Sequence, residues 1–192
     1  MLLSAHLKVL SQLTGAEAFH AGLVSSGRPE SAGAERVYGM FLNTLPFPYD
    51  RSATTWRELV RRTFDTEAAI WGHRRFPMPE IQRMAGDAQL LNVMFNYTDF
   101  GQVDGEQVDV RGGASDSANE FLMSVNTQPG QLTVRLVNHA VARAGAEQIA
   151  AMYRTVLEAM ATDPDGPAQP ALVSEAERDR LLHEWNDTDV EW

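Results

Sequence analysis

Apolar residues along this chain switch between two spacings, and that switching limits the fold more than any other feature. Over residues 2–13, Leu3, Leu7 and Leu10 form one stripe, widened by Leu2, Val9 and Leu13, and Thr14-Gly15 supplies a stop. Thr55-Trp56-Arg57-Glu58 has the spacing of a capping box and predicts a helix reaching Trp71, with Trp56, Leu59, Val60, Phe64, Ala68 and Trp71 inward. Ile149, Met152, Tyr153, Val156, Leu157 and Met160 predict a third helix over 145–161.

Runs of strand length lie between these helices. Phe19 to Ser25 is closed by Ser26-Gly27-Arg28-Pro29, and Val37 to Pro46 enters a rigid loop because Pro46 and Pro48 lack the N–H a ladder needs. Leu91, Val93, Phe95 and Tyr97 alternate with polar or flexible neighbours over 90–98. Residues 120–127 and 131–138 flank Pro129-Gly130 as a predicted hairpin. The turn Phe76-Pro77-Met78-Pro79 ends the unit before it, and the polar, Gly-rich stretch from Asp99 to Asp116 predicts a long loop with one short strand at 107–110. Helices alternating with strands, without an internal repeat, predict an α/β lobe with a mixed sheet and flanking helices. Asp163 to Pro170 is a Pro-rich spacer, and Ser174-Glu175-Ala176-Glu177 caps a short helix toward Trp185. The expected division is a lobe over 1–163 and a linker, with its own helix, over 164–192.

Composition removes several classes of function. A net charge of -10, from 26 acidic and 16 basic residues, argues against a surface that neutralises phosphates or anionic lipid headgroups, so neither nucleic acid nor membrane is an expected partner. No cysteine is present, which excludes disulfides, thiolate catalysis and Cys-based zinc, and fits a reducing, cytoplasmic setting. The apolar start, Met1 to Lys8, lacks a basic leader, and no run approaches the roughly 20 apolar residues that span a bilayer. Short signatures for dinucleotides, phosphates, zinc and serine hydrolysis are missing. His6, His20, His73, His139 and His183 do not pair at metal-ligand spacing, so they read as structural or surface residues and no metal is expected. Asp99, Asp104, Glu106, Asp109 and Asp116 read as a solvated acidic face.

Several segments, taken in order, carry more information. Leu3 to Gly15, Gly22 to Pro29 and Tyr38-Gly39-Met40-Phe41-Leu42-Asn43-Thr44-Leu45-Pro46 resemble consecutive parts of the condensation domains of nonribosomal peptide synthetases. His73-Arg74-Arg75-Phe76-Pro77, the strand Asn119 to Val125, and the tail from Ser174 to Thr188 are similar to later parts of the same family and its linker toward an adenylation domain. The resemblance implies one of two chloramphenicol-acetyltransferase-like lobes, the second, which with the first walls a tunnel for carrier-bound thioesters.

What the resemblance implies for the site is narrower. The family's double-histidine motif belongs to the first lobe, and no His-His pair exists in this sequence, so no catalytic residue is expected and the lobe should be inert alone. Arg28 matches an arginine that pairs with an aspartate of the other lobe; a surface arginine beside a turn is the alternative. Asn43 matches an asparagine facing the tunnel; a bare strand-end turn is the alternative. Neither side chain titrates near neutrality. The implied cofactor is not bound here but is the phosphopantetheine of partner carrier proteins. The implied partners are an adenylation domain or carrier protein, with a separate histidine-bearing lobe and homodimerisation left open. A structural module that docks an adenylation domain or pairs with a partner lobe is the competing function.

Overall fold

The computed structural model describes residues 1–86, 90–99, 121–128, 131–138 and 143–169. The loop expected over 99–116 with its strand at 107–110, the Pro129-Gly130 turn, the linker helix from Ser174, His139 and His183 lie outside the described residues, apart from Asp99 at a strand end.

Among the described residues, four helices and five strands follow one another as α1 (Leu2–Leu13), β1 (His20–Ser26), β2 (Leu42–Pro48), α2 (Trp56–Ile70), α3 (Met78–Met84), β3 (Val93–Asp99), β4 (Phe121–Gln128), β5 (Gln131–Asn138) and α4 (Arg143–Thr162). The sheet order is β2-β1-β3-β4-β5. Its two inner joins, β1 with β3 and β3 with β4, are parallel, and its two outer joins are antiparallel. The mixed sheet with flanking helices is thus present. One apolar row crosses all five strands: Leu45 faces Leu23, Leu23 faces Phe95, Phe95 faces Met123 and Met123 faces Leu136. Leu23, Phe95 and Met123 of this row, with Phe47 and Val125, join Leu7, Val9, Trp56, Leu59, Tyr153 and Val156 in the core; Leu136 packs against its margin, and Leu45 is buried.

Helix α1 has the bounds its sequence predicts, but it is not merely amphipathic. Every residue from Leu3 to Ser11 is buried. The polar members there depend on partners inside the protein, and the Ser4 hydroxyl has none among the described residues. His6 Nδ1 lies 2.7 Å from the Tyr153 hydroxyl of α4, and its ring packs 5.6 Å from that of Phe95. Burial lowers the His6 pKa from 6.5 to about 3 and raises that of the Tyr153 phenol, so a neutral imidazole meets a neutral phenol.

Three expectations need correction. The second strand runs Leu42–Pro48 rather than 37–46, and both prolines pair within it, Pro46 opposite Gly22 and Pro48 opposite His20. β2 is an edge strand, and residues two apart aim their backbone nitrogens the same way, so both proline nitrogens face the open side and no ladder bond is lost. Next, the inward stripe of α2 turns from Leu59 to Thr63, which is buried, while Phe64 is 67% exposed and Ala68 and Trp71 also face out. The Thr63 hydroxyl donates to the Leu59 carbonyl at 2.8 Å, so a threonine occupies the inner face without an unmet polar group. Finally, Pro77-Met78-Pro79 opens helix α3 rather than ending a unit, because a proline in the first turn lacks only an N–H that had no helical partner.

The N-terminus of α2 follows the capping box with one shift. Thr55 Oγ1 accepts from Glu58 N at 3.2 Å, and the Glu58 carboxylate accepts from Thr54 N, one residue before the cap, at 2.8 Å. Residues 164–169, read from composition as spacer, pack onto this end of the helix. Trp56 N donates to Gly166 O, Arg57 N to Pro164 O and Ala168 N to Thr54 O, and Ala168 is buried. Among the described residues, no helix is long and apolar enough to cross a membrane.

Two measurements check this packing. Leu59→Ala should cost about 2–5 kcal/mol in urea unfolding, and Phe64→Ala about 0.5 kcal/mol or less. The native state holds His6 neutral down to about pH 3, whereas the unfolded chain takes up a proton near 6.5. Stability from this group is therefore complete above pH 6.5 and falls as pH drops below it, by about 2 kcal/mol between pH 7.5 and 5, and His6→Gln should remove that part of the slope.

Candidate functional site

Arg28 and Asn43 are far apart in sequence from His73-Arg74-Arg75-Phe76-Pro77, yet the fold gathers all three at one end of the β1/β2 pair. β1 stops at Ser26, which places Gly27-Arg28-Pro29 beside the start of β2, where Asn43 pairs with Ser25. Gly27 N donates to the Phe41 carbonyl at 2.6 Å and closes the corner.

The Arg28 guanidinium is clamped rather than free on the surface. Its Nη1 donates to the carbonyls of Ala34 and Val37, each at 2.7 Å, and its carbon lies 4.2 Å from the centre of the Phe41 ring. Ala34 belongs to a one-turn 3-10 helix entered through Gly33 at φ 88°, a conformation an L side chain strains to adopt. The other guanidinium nitrogens, Nε and Nη2, have no acceptor among the described residues. A cation that stays charged is thus fixed in direction with donors in reserve.

Asn43 is the second residue of β2. Its Nδ2 donates to the Arg74 carbonyl at 3.0 Å and to the Phe76 carbonyl at 2.7 Å, so one amide group ties β2 to the segment between α2 and α3. Both amide protons are used, and the remaining polar atom is an acceptor.

Two arginines that sequence reasoning passed over complete the corner. Arg74 is buried, with Nη2 2.5 Å from the Glu30 carboxylate, Nη1 donating to Trp71 O and its guanidinium 4.6 Å from the Trp71 ring centre. Arg75 Nε donates to Gly27 O at 3.0 Å. The signal that could have found them is the arginine pair inside the motif. Around them stand large apolar side chains in water: Tyr38 is wholly exposed, Met40 is 87% exposed, and Leu42, Trp71 and Phe76 are exposed as well. His73, at the start of the motif segment, and His20 are exposed, while His6, on α1, is buried. No group of three or more His, Asp or Glu among the described residues could hold a metal.

Comparison with known proteins bears on this arrangement directly. The family model of the condensation domain matches residues 1–182. The chain belongs to the condensation-domain family. It is 35% identical over 185 residues to the AMB antimetabolite synthetase AmbE of Pseudomonas aeruginosa, an alignment that takes in 92% of this chain and 8% of that protein. It is 29% identical to the malpibaldin synthetase of Mortierella alpina over 96% of this chain and 4% of the relative. Among solved structures, the condensation domain of the monacolin K polyketide synthase MokA superposes with a TM-score of 0.71 at 19% identity, over 87% of this chain and 42% of that one. A four-domain nonribosomal peptide synthetase bound to AMP and glycine gives a TM-score of 0.75 at 14% identity, over 92% and 16%. The chain therefore spans a small part of the curated relatives and about two fifths of the MokA condensation domain. The fold is that of the chloramphenicol-acetyltransferase-like condensation domains, and condensation domains of synthetases work with adenylation and carrier domains.

The Asn43 latch has a direct test. Asn43→Ala should lower stability by about 1–3 kcal/mol, because two carbonyls lose their donor, and Asn43→Asp should lower it further by setting a carboxylate against them. Urea midpoints of the three proteins, measured at one pH, check the order.

Proposed function

We propose that this chain is the second lobe of a nonribosomal peptide synthetase condensation domain, and that it forms no peptide bond without a histidine-bearing first lobe. The observation that carries the reading is the corner itself: Arg28 held in a fixed direction with unused donors, on segments that also expose Tyr38, Met40, Leu42, Trp71 and Phe76. Exposed apolar residues of this size, with a polar centre, suit a surface covered by another protein. A coverage of about two fifths of a condensation domain supports the same reading.

In the reaction, an acceptor amine attacks the carbonyl carbon of a donor thioester, the C–S bond breaks, and the sulfur leaves with the proton lost by nitrogen. Both substrates arrive on the phosphopantetheine arms of carrier proteins. This lobe contributes position rather than proton transfer. Holding amine and thioester together is worth roughly 7–11 kcal/mol of the barrier. Arg28 pairs with a carboxylate of the first lobe and fixes the two walls, and Asn43 holds the wall segment at residues 74–76 that faces the tunnel.

A second reading has its own support. Residues 164–169 are fixed against the N-terminal end of α2, with Ala168 buried, which suits a module that docks an adenylation domain or pairs with a second copy.

Incubation with aminoacyl and peptidyl carrier proteins should give no product from this chain alone and condensation when a separately expressed histidine lobe is added. Turnover by the chain alone overturns the proposal. In the reconstituted pair, Arg28→Ala should weaken association of the lobes by about tenfold, the scale of one charge-assisted contact. Gel filtration decides the pairing of copies, with a monodisperse monomer counting against it.

A further inference from the structure

On the opposite flank of α1 from the Tyr153 contact, a pocket of about 200 Å³ is lined by Lys8, Ser11, Gln12, Tyr49, Arg51 and Gln169, over an apolar floor. Its charges are all of one sign. Lys8 retains only 4% of its surface, yet its ammonium has no hydrogen bond or ion pair among the described residues. Arg51 Nη2 donates to the carbonyls of Ser11 at 3.3 Å and Ala16 at 2.6 Å, while its Nε and Nη1 have no acceptor among the described residues.

Among the described residues, no acidic side chain lines this pocket. The adjacent carboxylate, Asp50, is engaged elsewhere, accepting from Ser52 N, Ser52 Oγ and Arg62 Nη1. An ammonium partly withdrawn from water without an anion is destabilising, and a guanidinium beside it cannot lose its proton to relieve the repulsion. Burial and then the Arg51 charge lower the Lys8 pKa, which is the mark of an uncompensated cation.

We propose that this pocket binds a small oxyanion, a carboxylate or phosphate group, seated between the Lys8 ammonium and the Arg51 guanidinium. The Ser11 hydroxyl already donates to Lys8 O at 2.6 Å, so Lys8, Arg51 and the Gln12 amide supply the donors, with the Tyr49 phenol at the rim. A pocket of about 200 Å³ accommodates one such group. The site is independent of the condensation reading, since none of its residues belongs to the Arg28 corner.

The test is a titration of the 15N-labelled full chain with inorganic phosphate and, separately, acetate, each against chloride at equal ionic strength. Saturable shifts at the amides of Lys8, Ser11, Gln12 and Arg51 are expected. Lys8→Met should weaken binding by about tenfold or more, the scale of one charge-assisted contact, while leaving the urea midpoint equal or higher. If Lys8→Met fails to fold, Lys8→Gln serves the same purpose. Saturation by both anions identifies a carboxylate-accepting site, such as one filled by a neighbour's acidic side chain. Saturation by phosphate alone identifies a site for a free phosphate. Shifts no larger than those of chloride, or a Lys8 variant that binds as tightly as the original, overturn the proposal.

Discussion

Helix α1 is enclosed on every side, and its desolvation sets terms for much of the lobe. Nine consecutive residues, Leu3 to Ser11, are out of water, so each polar group among them needs a settlement within the protein. His6 reaches one by staying neutral against Tyr153. Ser11 reaches one by bonding back to Lys8 O. Lys8 does not, and the polar pocket beside it is the consequence. The same helix gives the sheet its covering, because α4 and α2 pack against it and so are positioned by its apolar residues.

The Arg28 corner follows a different logic. Apart from Arg74, which pairs with Glu30, its parts are held by backbone carbonyls: Ala34 and Val37 for Arg28, Arg74 and Phe76 for Asn43, Gly27 for Arg75. Backbone acceptors neutralise no charge, so the arginine keeps its full positive field while losing its freedom to rotate. That combination is what a contact between two rigid bodies needs, since ordering a long side chain at the moment of association costs affinity.

Much of this was legible in the sequence where a single element decides its own form. The α1 stripe and the alternating arms of β4 and β5 are local patterns, and the structure follows them to within a residue or two. Pattern failed where a neighbour decides. Nothing in Leu42 to Pro48 announces that the strand lies at an edge, and only an edge makes its prolines harmless. Thr63 outcompeted Phe64 for the inner face of α2 because its hydroxyl bonds within its own helix, an option that hydrophobic spacing ignores. Of the site, Arg28 and Asn43 were found through family motifs, but their partners are carbonyls, which carry no residue identity and leave no trace in sequence.

The prolines of β2 carry one more implication, for how this lobe meets other chains. An edge strand with every donor in place invites a foreign strand to zip alongside, the route by which sheets merge or polymerise. Pro46 and Pro48 withhold two donors from that margin, and the absent N–H groups cannot be restored by any side-chain rearrangement. Growth of the sheet past β2 is thereby discouraged, and a companion approaching from that quarter is recognised by the shape and charge of side chains rather than by continuation of the backbone ladder.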